Sequence, residues 1–187
     1  MAEANVMSFL GKFDGGARPN RYRVTITPPP KLAVVLTNLP FLCRSTSIPA
    51  STLGIAPVAY MGREVKIAGD RTFDDWSITV YNRKDFDLRI AFESWSNQML
   101  YNYANVESGV INDEQDYFAD ATVDQLDRKD EVIQTYLMKG IWPTSIGDIA
   151  LAYDSNNTVE EFQVTFAVQW WETNKSTDKS GGGGGAG

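Results

Sequence analysis

Three carboxylates in one short run, Asp70, Asp74 and Asp75 of GDRTFDDWSITVYN, are the first residues whose types could do chemistry. A glycoside hydrolase needs two carboxyl groups on opposite sides of a scissile bond. The same run fits better as a turn at Gly69-Asp70-Arg71 held by local hydrogen bonds, with Asp74 and Asp75 exposed at the start of a strand. Asp154, Asn156 and Thr158 have the spacing of a calcium loop. That loop then fails, because Val159 stands where a glycine is needed and Thr165 where a glutamate is needed. GKFDGGARPN has neither the lysine context of a phosphate-binding loop nor the glycine spacing of a dinucleotide site. The single cysteine, Cys43, sits beside Phe41 and Leu42 and reads as a small buried hydrophobe. With no histidine in the chain, the Ser-His-Asp and Cys-His arrangements and the commonest metal ligand are absent. Trp170-Trp171 could stack on a sugar or a base, but no basic face accompanies them, and tryptophan at the end of a core strand more often packs.

Composition narrows the class further. The 187 residues are 43% hydrophobic and 22% charged, enough for one domain with a substantial core. No apolar run approaches the ~20 residues of a membrane helix. The first residues, MAEANVMSFLGKF, lack a basic lead, so no signal peptide or membrane anchor is expected and synthesis is expected in the cytoplasm. The net charge is −7. Nine acids and two bases lie between Tyr101 and Glu131, so this block carries the whole excess and the rest is neutral. Such a chain does not grip nucleic acid through a general basic field. The block itself reads as a solvated surface of loop with some helix, or as a surface that repels a polyanion.

The elements that would position these residues are mostly strands. Tyr22, Val24 and Ile26 alternate with Arg23, Thr25 and Thr27, and Pro28-Pro29-Pro30 stops that strand. LAVVLTNLPFLCRSTSI holds two short strands, or a strand and a turn. The segment from Ser45 to Glu64 has two prolines and two glycines and no clear period, and reads as a long loop; loops of that length inside a domain are usually functional. After Gly69-Asp70, the residues Trp76, Ile78 and Val80 share one strand face, and Ser77, Thr79 and Tyr81 the other. A helix follows, capped by Asn82 or Asp85, with Phe86, Ile90, Trp95 and Met99 at near-helical spacing. EVIQTYLMKGIWP is a strand apolar on both sides, and DSNN supplies a hairpin turn. The last strand places Phe162, Val164, Phe166, Val168 and Trp170 opposite Gln163, Thr165, Ala167, Gln169 and Trp171. Residues 1–16 read as a flexible lead, 17–172 as the domain, and 173–187 as a Gly-rich tail of linker composition. The expected class is mainly β, a sandwich or barrel core with a flanking helix and a long projecting loop. The residues show no catalytic equipment; small polar strand faces and an apolar loop suit an assembly subunit.

Four signatures carry a family resemblance: GGARPNRYRVTI, YMGREVKIAGDRTFDDWSITVYN, the G-x-x-P-T-x-x-G connection in GIWPTSIGDIALAYDSNN, and the final FQVTFAVQWWE. In that order, from about Ala17 to Glu172, they resemble the tail tube proteins of contractile-tailed, T-even-type bacteriophages. The resemblance implies a structural virion protein without catalysis, cofactor or metal. It implies hexameric rings that stack into the inner tail tube. The tail sheath protein would lie outside, the tape measure protein and the passing genome inside, and baseplate and tail terminator proteins at the ends. The alternative from the same architecture is the inner tube of a type VI secretion or pyocin-like machine. A carbohydrate-binding module using Trp170 or Trp171 and a carboxylate hydrolase are further readings. Two surfaces are expected to serve assembly. Leu53, Ile55, Val58, Tyr60 and Met61 would contact an adjacent subunit or ring, because exposed contiguous apolar area marks interfaces. Ser77, Thr79, Gln163, Thr165 and Gln169 would line the lumen, with Asp74 or Asp75 adding negative potential.

Overall fold

A computed structural model describes residues 6–13, 16–29, 31, 32, 34–101, 113 and 116–175. The acidic segment is thus seen only in its second half, and most of the Gly-rich tail lies outside the described residues. The elements in order are α1 (Val6–Phe13), β1 (Tyr22–Thr27), α2 (Leu39–Leu42), β2 (Cys43–Thr46), β3 (Ser51–Tyr60), β4 (Arg63–Phe73), β5 (Trp76–Tyr81), α3 (Asp87–Met99), β6 (Ala119–Leu126), β7 (Val132–Ile146), β8 (Glu161–Ala167) and β9 (Trp170–Thr173).

Among the described residues seven strands make one antiparallel sheet in the order β1-β6-β7-β8-β5-β2, with β9 also on β7, and β3 and β4 pair only with each other. The sheet curls without closing. Its two edges, β1 and β2, are joined by one side chain, the Tyr22 hydroxyl donating to the Cys43 and Arg44 carbonyls. Burial, then the neighbouring Cys43 and Tyr81, raise the pKa of that phenol, while Arg44 opposes them.

Alternation builds the concave side. Val24 and Ile26 of β1, Ala119, Ala121 and Val123 of β6, Trp76, Ile78 and Val80 of β5, and Phe162, Val164 and Phe166 of β8 are buried in one cluster. Helix α3 seats Phe92 and Trp95 into it: Phe92 meets Phe162 edge-on at 6.4 Å and Phe166 at 5.8 Å, and Trp95 lies 6.2 Å from Phe166. The Trp95 Nε1–H donates to the Tyr117 carbonyl at 3.1 Å, which satisfies the polar end of a fully buried indole.

Several expectations need correction. The 119–126 part of the acidic block is a strand, because its acids alternate with Ala and Val and point outward. The inward face of α3 is Leu88, Ala91, Phe92 and Trp95, and Ile90 is 56% exposed. Its start is organised by neither Asn82 nor Asp85. Phe86 takes a left-handed conformation (φ 55°), and the Asp87 carboxylate accepts from the Leu88 N–H at 2.8 Å, from Asn38 Nδ2 at 2.6 Å and from Arg83 at 3.0 Å. Partial burial pulls the Asp87 carboxyl upward, but these partners outweigh it and leave the group below its ordinary range. Within the lead expected to be flexible, residues 6–13 form α1, an exposed helix. The final strand is not continuous. It breaks at Val168-Gln169, where β7 bends at Gly140 (φ 62°). A Cβ on Gly140 would stand 2.6 Å from Gln169 Cγ. β8 pairs with the C-terminal half of β7 and β9 with its N-terminal half. The irregularity shifts the side-chain parity, so Trp171 rather than Trp170 packs against the core.

Candidate functional site

The segment expected as a long loop is a β-hairpin. Ser51–Tyr60 and Arg63–Phe73 pair antiparallel, and the tip is the two-residue turn Met61-Gly62 with φ of 48° and 79°. Positive φ at both positions is what a twisted hairpin requires. Methionine is an unusual residue for the first of them, which is why the turn is silent in the sequence. Pro57 sits within β3 opposite Lys66, tolerable because β3 has a free edge.

Gly69 and Asp70 are not a turn, and Arg71 is not a turn residue. All three lie inside β4. The register slips between Leu53↔Arg71 and Ile55↔Ala68, so Gly69 and Asp70 together oppose Gly54 as a bulge. A Cβ on Gly69 would stand 3.1 Å from the Gly54 carbonyl carbon, and one on Gly54 3.2 Å from the Asp70 carbonyl oxygen. Close backbone approach, not a reversal of the chain, is the reason for the two glycines. Nor does the chain reverse at Asp74-Asp75: the Asp74 N–H donates to the Ala50 carbonyl at 3.0 Å, in register with the Ser51–Phe73 pair, so β4 runs on directly into β5.

The arm joins the body at aromatic rings. Phe73 meets Trp171 edge-on at 6.1 Å, and Trp171 meets Tyr136 at 5.9 Å. Beyond that base nothing among the described residues covers it: Leu53, Ile55, Val58, Tyr60, Met61, Val65 and Ile67 are between 46% and 86% exposed. Register sorts them into two faces. Leu53 and Ile55 share one side with Pro57, Ala59 and Ala68. Ala56 and Ile67, Val58 and Val65, and Tyr60 and Arg63 form cross-strand pairs on the other, the more apolar side. Sequence reasoning missed Val65 and Ile67, which the hairpin pairing reveals.

The outer side of β5 and β8 carries a second feature. Ser77 stands opposite Thr165 and Thr79 opposite Gln163, a neutral polar patch whose reverse side is Trp76, Ile78, Val164 and Phe166. Gln169 is not brought into this patch. It lies in the break between β8 and β9, its N–H on the Lys139 carbonyl at 3.2 Å.

The remaining candidates take ordinary places. Asp70, Asp74 and Asp75 are exposed, and no group of three acids, cysteines or histidines among the described residues could hold a metal. Asp154 and Asn156 form a backbone turn. Cys43 is partly buried, and burial pushes its thiol up to about 12, away from reactivity. No helix among the described residues is long and apolar enough to cross a membrane.

A curled sheet with a packed core, a neutral outer patch and an uncovered two-stranded arm defines a subunit of a β assembly. The comparisons with known proteins agree. A family profile described as phage tail tube protein matches residues 17–174, and the chain belongs to that family. The tail tube protein gp19 of Enterobacteria phage T4 is 35% identical over 163 residues, 86% of this chain and 94% of the relative. The tail tube protein of Serratia phage KSP90 is 29% identical over 164 residues, 85% of this chain and 91% of the relative. Among solved structures, a chain of the anti-feeding prophage baseplate has a TM-score of 0.60 at 13% identity, covering 84% of this chain and 94% of that one. A chain of the sheath–tube complex of an extracellular contractile injection system has 0.57 at 13%, covering 91% and 98%. These last two share the fold. The protein is thus a tail tube protein of contractile phage tails, a structural virion component and not an enzyme. The hydrolase and carbohydrate-binding readings fall with that assignment.

Proposed function

We propose that six copies close into a ring, that rings stack into the inner tail tube, and that the genome passes through its channel when the sheath contracts. The observation that carries this reading is the arm. An isolated two-stranded hairpin is marginal in water, and this one exposes apolar side chains on both faces. Contacts with neighbouring copies would cover them, each large apolar side chain contributing roughly 1.5–3 kcal/mol. β1 and β2, each in a ladder along one side and bridged to each other by the Tyr22 hydroxyl, support lateral closure, since their remaining ladder groups would be satisfied when sheets join around a ring. The neutral patch of Ser77, Thr79, Gln163 and Thr165 suits a channel wall that does not hold phosphates. Gln169 stands apart from it and joins the wall only if the β8–β9 break also faces the channel. Sheath protein would surround this tube, tape measure protein and DNA would occupy it, and baseplate and terminator proteins would cap it.

Two double variants test the arm face by face: Leu53→Asp with Ile55→Asp, and Val58→Asp with Val65→Asp. Each should leave the monomer's circular dichroism and melting nearly unchanged and abolish tubes in negative-stain micrographs. Normal tubes from both variants would remove the arm from stacking. An unfolded monomer would return it to the core.

A further inference from the structure

The strands of the seven-stranded sheet contain only three cations, Arg23 on β1, Arg44 on β2 and Lys139 on β7. Each is ion-paired to a carboxylate from another strand of the same sheet. Arg23 Nε lies 3.7 Å from Asp124 Oδ2, directly opposite it on β6. Lys139 Nζ lies 2.6 Å from Asp120 Oδ2, also on β6. Arg44 holds both carboxylate oxygens of Glu161 on β8, reaching past β5. Asp124 is fixed in turn by the Thr135 hydroxyl, which donates to its Oδ1 at 2.8 Å.

Exposed ion pairs contribute little to stability, often less than about 1 kcal/mol. Three out of three is therefore poorly explained by folding. The cations are accessible: the side chains of Arg23, Arg44 and Lys139 are 48%, 51% and 29% exposed. Unpaired, such groups neutralise phosphates and release counterions. We infer that Asp120, Asp124 and Glu161 mask the sheet's three cations, so that the outer face offers no anchor to nucleic-acid phosphates. The inference rests on the tube reading, in which this face meets a moving polyanion. A six-membered ring repeats each cation six times, so unmasking would line a channel with regularly spaced phosphate anchors.

The test compares two variants of equal charge change. One is Asp120→Asn, Asp124→Asn, Glu161→Gln. The control is Glu131→Gln, Asp148→Asn, Asp154→Asn, all exposed acids outside those strands. Binding of a labelled duplex is read by fluorescence anisotropy, on soluble subunits and on assembled tubes, so failed assembly still gives an answer. The unmasked variant should bind DNA, with affinity falling roughly forty-fold between 50 and 200 mM salt for three added phosphate contacts. The control should not, and adding Arg23→Gln, Arg44→Gln and Lys139→Gln to the unmasked variant should abolish binding. Equal gains in both variants, or a gain in neither, would overturn the mask. Failure of the unmodified chain to form tubes would instead count against the tube reading.

Discussion

β4 and β5 are separated by only Asp74 and Asp75, yet they belong to different physical worlds. β5 alternates buried and half-buried residues as far as the exposed Tyr81, and its Trp76, Ile78 and Val80 lie in the same core as Phe92 and Trp95 of α3. β4 is exposed along nearly its whole length, although it contains Val65 and Ile67. Both are antiparallel strands with apolar side chains. The difference is that β5 packs one face on the core, whereas β4 is paired to β3 with neither face covered. On the proposed reading the uncovered hairpin is completed by other copies, and the stability of the monomer and of the assembly then rest on separate residues.

Core and arm should therefore respond oppositely to truncation. Phe166→Ala removes a fully buried ring that touches Trp76, Phe92 and Trp95. It should cost about 3–5 kcal/mol and lower Tm by roughly 6–20 °C. Ile67→Ala should shift the monomer's Tm by only a degree or two while weakening tube formation. Differential scanning calorimetry beside micrographs measures both. Equal melting losses would erase the distinction between the two regions.

A subtler break lies at the bulge. Gly69→Val places a branched side chain against the Gly54 backbone, only 3.1 Å from where its Cβ must sit. The arm's register should shift and tubes should be lost, with body melting little changed. Retention of normal tubes would show that the bulge does not set the arm's shape.

The smallest expected effect is at the start of α3. The folded Asp87 carboxyl is lowered, so its stabilising contribution is present above the unfolded value and is lost as pH falls through the folded one. In Asp87→Asn that loss should be absent, flattening the acid limb of urea-unfolding curves between about pH 5 and pH 3. Identical limbs in variant and parent would deny the carboxylate this role.

What could be read from the sequence followed burial. β1, β5 and β8 were visible because one face is core and the other polar, and Trp76, Ile78, Val164 and Phe166 fell on the inner side as expected. Their reverse, Ser77, Thr79, Gln163 and Thr165, came with them. The arm was opaque because a strand exposed on both faces has no reason to alternate, and its Gly and Pro imitate loop chemistry. β6 was hidden by acids on alternate positions of a charge-rich block. The parity change between β8 and β9 depends on a bend at Gly140, far away in the chain, which no local pattern records. The sheet's ion pairs were equally illegible, since Arg44 and Glu161 are 117 residues apart.

A helical reconstruction of tubes assembled from the unmodified chain tests the central claim most directly. The account predicts Val58, Tyr60, Val65 and Ile67 buried against an adjacent copy, with Ser77, Thr79, Gln163 and Thr165 on the channel wall. Tubes in which the arm stands free in solvent, or in which those four polar side chains face outward, would contradict it.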